Sequence, residues 1–234
     1  MLTIVPTPLG NLDDITLRCL SALKSADVIF AEDTRRTLIL ARHYGLNARI
    51  ERYNEHDDKS VAYAHNVLLS GKNAALVSDC GTPCVSDPGW KLVAAARASN
   101  IKVESLPGPC AATTAIAGSG FPSGPFVFLG FLPRKRSRVI KALTAAATLN
   151  STMVVYESPF RIVKLLGLAA EALGPDTQAA IARELTKVHE EWLTGTLTSI
   201  GAELAKRDKV LGEFVLLINP RKPEEPDEDD DTED

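Results

Sequence analysis

Apolar residues along this chain recur with two different periods. Short runs rich in β-branched residues predict strands: "LTIV" (2–5), "VIFA" (28–31), "ARIERY" (48–53), "AALVS" (74–78) and "KVESL" (102–106). Between them, "TLRCLSALKSA", "TRRTLILARHYG", "KSVAYAHNVLLSG" and "GWKLVAAARASN" place apolar residues three to four apart and predict helices, ending in Gly, Asn or a small-residue turn where a C-cap belongs. Strand–helix alternation of this kind predicts an α/β fold with a largely parallel sheet covered on both faces.

The pattern breaks at "GSGFPSGP" (118–125), where three glycines and two prolines in eight residues read as a linker. Beyond it come "FVFLGF", a helical "RVIKALTAAATL", "TMVVY", "RIVKLLGLAAEAL", "AAIARE" and "GEFVLLIN", with a polar middle around "TKVHEEWLTGT". This half is also α/β but has a different rhythm. The reading is an N-terminal α/β domain over residues 1–120 and a C-terminal α/β domain over 121–220, followed by a tail over 221–234. A cleft between two such domains is a usual place for a small ligand.

Composition sharpens the picture in three places. At 234 residues and 45% hydrophobic, the chain is long enough for one large core or two smaller ones. It has no run of about 18 apolar residues, so no membrane span is expected. The opening "MLTIVPTPLG" lacks the basic flank of a signal peptide, so a cytoplasmic protein with reduced cysteines is expected. The net charge of −4 is dominated by the last eleven residues, "EEPDEDDDTED", which hold nine acids and read as a disordered tail. Without them 26 bases face 21 acids, and residues 1–223 carry +5, a balance compatible with a polyanionic partner.

The densest chemistry lies in "SDCGTPCVSDPG" (78–89). Cys80 and Cys84 stand four apart, Cys19 and Cys110 are isolated, and no histidines pair at ligand spacing, so neither a zinc site nor a Cys-x-x-Cys redox pair is expected. All four cysteines read as small buried hydrophobes. The stretch begins where a strand ends, the edge at which open α/β sheets bind ligands. Glycine lets the main chain approach a ligand, proline stiffens the loop, and Asp79 and Thr82 offer an acceptor and a hydroxyl. "TPLGN" (7–11) and "LPGPCAAT" (106–113) follow two other strands of the same sheet. Neither a P-loop nor G-x-G-x-x-G occurs, so the three loops suit a flat, weakly charged ligand met by backbone groups.

"TPLGNLDDITLR", "AEDTRRT", "SDCGTPCVSDPG", "PGPCA", "YESPFR", "ARELTKVHEE" and "GEFVLLI" occur in this order from residue 7 to residue 218. In them the chain resembles the bacterial 16S ribosomal RNA 2′-O-ribose methyltransferases I, within the tetrapyrrole (class III) methylase superfamily. The resemblance implies two α/β domains with S-adenosylmethionine in the cleft between them, and a homodimer. It implies cofactor contacts from Pro8 and Leu9, from Asp79, Gly81, Thr82 and Val85, from Cys110 and Ala111, and from Glu157, Ala182 and Gly212. Relatives usually carry other small residues where this chain has Cys80 and Cys110. Tetrapyrrole-modifying relatives carry Gly-Asp-Pro in place of Gly81-Thr82-Pro83, which argues against a corrin or porphyrin substrate here.

The implied reaction is methyl transfer to the ribose 2′-hydroxyl of a cytidine in the decoding region of 16S rRNA, on free RNA or the small ribosomal subunit. A ribose hydroxyl is a poor nucleophile, and a base would help. The residues leave that base open among Glu32, Asp33, Glu55, His56 and Glu157. Asp33 or Thr34 equally suits an N-cap of the next helix, and His56 a solvated loop. For RNA, "PRKRSR" supplies Arg134, Lys135, Arg136 and Arg138 at the start of a helix, where cations oppose the helix dipole. Arg35, Arg36 and Arg161 would extend the patch, although Arg161 also stands four residues from Glu157. The alternatives are a small-molecule methyltransferase of the same fold and a non-enzymatic RNA-binding module.

Overall fold

The computed structural model describes residues 1–221; residues 222–234, on which the expectation of a disordered acidic tail falls, lie outside the described residues. The chain forms two compact units. The first comprises Met1–Thr114 with Glu184–Glu190, and the second Ala115–Arg183 with the residues from Glu191 on. The segment Glu184–Glu190, which a linear reading assigns to 121–220, thus groups with the first unit.

The first unit alternates β1 (Leu2–Ile4), α1 (Leu17–Ser25), β2 (Val28–Ala31), α2 (Thr34–Tyr44), β3 (Arg49–Arg52), α3 (Asp58–Leu69), β4 (Ala74–Val77), α4 (Trp90–Ala98), β5 (Val103–Ser105) and α5 (Ala111–Gly118), whose last turn continues into the second unit. Its five strands lie in the order β3-β2-β4-β1-β5, every pairing parallel. Strand alternation divides the core between the two faces. Val28, Phe30, Ala74 and Leu76 pack with Ala64 and Leu68 of α3 and Leu92 and Ala96 of α4. Ile29, Ala31, Ala75 and Val77 pack with Cys19 and Leu23 of α1 and Leu40 of α2. A strand buried on both faces has no polar positions to alternate, which is why β2 and β4 read as unbroken apolar runs.

Local chemistry sets the helix starts. Thr16 accepts from Cys19 N, Asp33 from Arg35 N and Asp57 from Lys59 N, three side-chain N-caps each worth about 1 kcal/mol.

The second unit contains β6 (Phe126–Phe131), α6 (Arg136–Ala147), β7 (Thr152–Glu157), α7 (Ile162–Leu173), β8 (Gln178–Arg183), β9 (Glu191–Thr196), α8 (Leu197–Ala205) and β10 (Phe214–Asn219). Its sheet runs β6-β7-β10-β8-β9; only β6 and β7 are parallel, and the other pairings are antiparallel. Met153, Val155, Ile181, Leu216 and Ile218 meet Val139 and Leu143 of α6, Leu165 and Leu166 of α7, and Ile200 and Leu204 of α8 in one core.

Three elements differ from the sequence reading. "LPGPCAAT" is not loop throughout, because α5 begins at Ala111, directly behind the prolines that hide its start. The polar "EWLTGT" is strand β9, with only Leu193 buried, so it carries little apolar signature. Helix α8 follows it without a loop, started by a capping box between Thr196 and Ser199.

Candidate functional site

Because every strand of the first sheet is parallel, the loops after β1, β4 and β5 emerge along one edge, and the strand order makes those three strands neighbours. Hydrogen bonds tie the loops together. Thr7 N donates to Gly81 O and Gly81 N to Thr7 O, each at 2.9 Å, forming a short antiparallel bridge between the first loop and the one after β4. Thr7 Oγ1 donates to Ser78 O at 3.2 Å, and Ser78 Oγ turns inward to Cys80 O and Gly81 O. On the other side, Thr82 Oγ1 donates to Pro109 O at 2.8 Å, joining the loop after β4 to the one after β5.

Gly81 is the crossing point. Its φ is +80°, and a Cβ there would lie 3.2 Å from Leu9 Cδ2 and 3.7 Å from Pro109 O. The missing side chain therefore leaves a cradle bounded by all three loops. A cavity of about 280 Å³ lies in the first unit, lined by Leu9, Asp14, Thr16, Gly108, Pro109, Thr114 and Thr186. That is near the lower end of the roughly 300–1,000 Å³ usual for small-molecule sites. Leu9, Gly108 and Pro109 bring two of the tied loops to this cavity, beside the polar Asp14, Thr16, Thr114 and Thr186, and the bare backbone at Gly81 suits a cofactor met by main-chain groups.

The expected cofactor residues fall in two sets. Pro8, Leu9, Asp79, Gly81, Thr82, Val85, Cys110 and Ala111 all lie on the three tied loops or at the first residue of α5. In the second unit, Glu157 is the last residue of β7. Ala182 is fully buried in β8 between Val215 and Trp192, and Gly212, with φ +103°, precedes β10. Asp79 is held by its neighbours: Oδ1 accepts from Asp33 N at 3.1 Å, and Oδ2 pairs with Arg36 Nε at 3.5 Å.

The segment Glu184–Glu190 straps the first loop, a long-range contact that the motif "ARELTKVHEE" does not reveal by residue type. Asn11 N donates to Thr186 Oγ1 at 3.2 Å. A Cβ on Gly10 would meet Lys187 Cγ, with Leu185 O at 3.2 Å. Glu184 and Thr186 adopt φ of +52° and +63°, strain that persists only where the surroundings hold it. Thr186 N donates to Glu190 Oε2 at 2.6 Å, and Lys187 Nζ pairs with Glu184 Oε1 at 2.9 Å.

The base candidates separate by what their carboxylates already do. Asp33 is the N-cap of α2 and also takes both Arg35 Nε and Nη2, so its carboxyl is lowered to about 2, chiefly by those hydrogen bonds. Glu157 is 3% exposed; Oε1 accepts from Ser158 N at 2.8 Å, and Arg161 Nη2 lies 3.2 Å from Oε2, close enough for an ion pair but off the angle of a hydrogen bond. Glu55 Oε2 accepts from Gly89 N at 2.6 Å. Glu32, by contrast, has its carboxyl raised above the usual range by partial burial and by the Asp79 carboxylate, with His56, Arg36 and Arg52 pulling the other way. His56 is exposed, and its backbone N donates to Asn54 Oδ1.

The basic segment is only partly as expected. Arg134, Lys135 and Arg138 are exposed, and Lys135 is the N-cap of α6 with no side-chain cap bond. Arg136, however, pairs with Glu171 of α7, which neutralises one of the four charges. Arg35 and Arg36 are likewise paired, with Asp33 and Asp79, and Arg161 also donates to Leu132 O and Pro133 O. The cysteines depart from a uniform buried set: Cys19 is in the core, whereas Cys80, Cys84 and Cys110 are half-buried, and none of the four is in a disulfide. Among the described residues no three His, Cys, Asp or Glu side chains gather as a metal set, and no helix is long and apolar enough to cross a membrane.

Comparison with known proteins follows the same lines. Residues 1–201 match the family model of the tetrapyrrole (corrin/porphyrin) methylases. The chain is 43% identical over 221 residues to a protein of Hydrogenobaculum sp. (strain Y04AAS1) named ribosomal RNA small subunit methyltransferase I, covering 93% of this chain and 95% of that one. It is 43% identical over 231 residues to the Escherichia coli O157:H7 protein of the same name, covering 97% of this chain and 80% of that one. Among solved structures it is similar in fold to the methyltransferase CobJ, with a TM-score of 0.73 at 20% identity over 93% of each chain. It is also similar in fold to the uroporphyrin-III C-methyltransferase of Thermus thermophilus complexed with S-adenosylhomocysteine, with a TM-score of 0.64 at 18% identity over 92% of this chain and 96% of that one.

Proposed function

The chain belongs to the tetrapyrrole (corrin/porphyrin) methylase family, among relatives named ribosomal RNA small subunit methyltransferase I, and on that premise we propose that it methylates the ribose 2′-hydroxyl of a cytidine in the decoding region of 16S rRNA, using S-adenosylmethionine. The observation that carries this reading is the set of three loops tied along one edge of the parallel sheet, with a cradle at Gly81 that any side chain would fill.

Pro8, Leu9, Gly81, Thr82, Val85, Cys110 and Ala111 would hold the cofactor through backbone groups and apolar contacts, and Asp79 would supply a carboxylate; Glu157, Ala182 and Gly212 complete the proposed set. When bound, S-adenosylmethionine supplies a methyl group on a sulfonium sulfur, so the transfer is a displacement at carbon. The protein's share is alignment and exclusion of water, which the stiff Gly/Pro loops suit.

The hydroxyl must also lose its proton. Asp33, Glu55 and Glu157 are committed to caps or ion pairs, which leaves Glu32 and the exposed His56. Of the two we assign the role to Glu32, whose carboxyl is raised from its ordinary value by partial burial beside Asp79. Arg134, Lys135 and Arg138 would bind RNA phosphates. The same resemblance supports a cytoplasmic homodimer, to be checked by light scattering. Labelled S-adenosylmethionine offered with small-subunit particles and with naked 16S rRNA, followed by mapping of the modified nucleotide, tests the function. Label elsewhere than a cytidine 2′-oxygen would refute it.

A further inference from the structure

Glu55 sits on the turn after β3, at the edge where a base is wanted, yet its carboxylate points into the protein. It is 9% exposed, and Oε2 accepts from Gly89 N at 2.6 Å, short for an N–H···O bond and typical of a charge-assisted one. Gly89 is the N-cap of α4 and provides no side-chain cap, unlike Thr16, Asp33 and Asp57 at α1, α2 and α3; as in α1 and α2, no acid occupies the first turn. Glu55 supplies both from 34 residues away, an acceptor for an orphan N–H and a negative charge at the positive end of the helix.

The stretch that Glu55 anchors is itself strained. Between the Gly81–Thr7 bridge and Gly89, Cys84 and Ser86 take φ of +69° and +64°, and Gly89 itself +139°. A Cβ on Gly89 would lie 2.6 Å from Leu76 Cδ2 and 2.7 Å from Cys84 Sγ, so the carboxylate meets a backbone that passes too close for any other residue. Tyr53, 1% exposed, lies beneath; its hydroxyl is pushed up to about 12, first by burial and then by the Glu55 charge. The Cys84 thiol is pushed up to about 11 by burial, then by Glu55 and Asp87. The loop after β4 is therefore pinned at two ends, by Thr7 at Gly81 and by Glu55 at Gly89.

We propose that Glu55 is a positioning residue that holds the Gly81–Gly89 loop in its cofactor-binding form, and that it takes no part in proton transfer. The proposal rests on that loop belonging to the cofactor site. The test compares Glu55→Ala and Glu55→Gln with the unmodified protein by calorimetric titration with S-adenosylhomocysteine, and by kcat, cofactor KM and the pH profile of kcat on small-subunit RNA. Glu55→Ala should raise the cofactor Kd and KM about tenfold or more, while kcat at saturating cofactor and its pH profile stay close to those of the parent. Glu55→Gln keeps an acceptor for Gly89 N and should recover Kd to within about threefold. A folded Glu55→Ala protein with parental Kd would overturn the proposal. So would a Glu55→Gln protein that binds cofactor normally but loses kcat about a hundredfold with the acid limb of its pH profile displaced. Failure of the unmodified protein to bind S-adenosylhomocysteine would instead sink the proposed function.

Discussion

Replacing Gly81 by alanine tests the site at the point where its three loops meet. At φ +80° an L-residue costs about 1–2 kcal/mol relative to glycine. The added Cβ would stand 3.2 Å from Leu9 Cδ2, so Leu9 must also give by a few tenths of an ångström. If the backbone instead relaxes toward negative φ, the two 2.9 Å bonds to Thr7 are lost, at about 0.5–1.5 kcal/mol each. The two routes together span a deficit of about 1–3 kcal/mol, which converts to a Kd for S-adenosylhomocysteine weaker by roughly 5–150-fold. Calorimetry reads the affinity, and urea denaturation separates a local loop change from general destabilisation. Gly120→Ala is the control: its φ is +73° with nothing within 4 Å of the added Cβ, so it should lose stability and leave the affinity alone. A folded Gly81→Ala protein that binds within twofold of the parent would refute the cradle.

Three further expectations follow from the same geometry. Glu32→Gln should lower kcat about 10²–10⁴-fold with cofactor binding intact, and the parental rate should fall as acid protonates Glu32; single-turnover rates against pH read both, and unchanged kcat would remove Glu32 from the mechanism. Replacing Arg134, Lys135 and Arg138 by serine should flatten the log–log salt dependence of RNA binding by roughly 2–3 units, whereas Arg136→Ser alone should change it least because Glu171 already holds that charge; equal slopes for all variants would place the RNA surface elsewhere. Cys84, with its thiol raised to about 11, should be roughly one-thousandth ionised at pH 8 and alkylate slowly; its contribution to stability is complete below the unfolded value of about 8.5 and is lost as pH rises toward 11, which mass spectrometry of labelled peptides and alkaline unfolding would check.

Much of the fold was legible because the first sheet is buried on both faces: β2 and β4 announce themselves as unbroken apolar runs, and Gly and Pro mark the loops between. Leu193 alone could not announce β9, and α5 was masked by the prolines at its head. Within the site, the loops were readable from residue type, but the commitments of individual side chains were not. Glu55 and Glu32 look alike in sequence; what separates them is a contact across 34 residues to Gly89. Arg136 looked like its neighbours until α7 brought Glu171 beside it. Long-range pairing of this kind leaves no local pattern.

The strap at Glu184–Glu190 also bears on how the protein is made. A ribosome releases Met1–Thr114 first, with all five strands of the parallel sheet, yet the residues that lie against Gly10 and Asn11 come some seventy positions later. At about 5–20 residues per second, the nascent first unit waits roughly 4–15 s for Leu185, Thr186 and Lys187 to emerge. Until then the loop after β1 lacks the hydroxyl that accepts from Asn11 N and the backbone that closes over Gly10. The growing chain can thus complete its first sheet early while the finished loop arrives only after β8 has been synthesised. A fragment ending at residue 114 would carry the sheet without that closure.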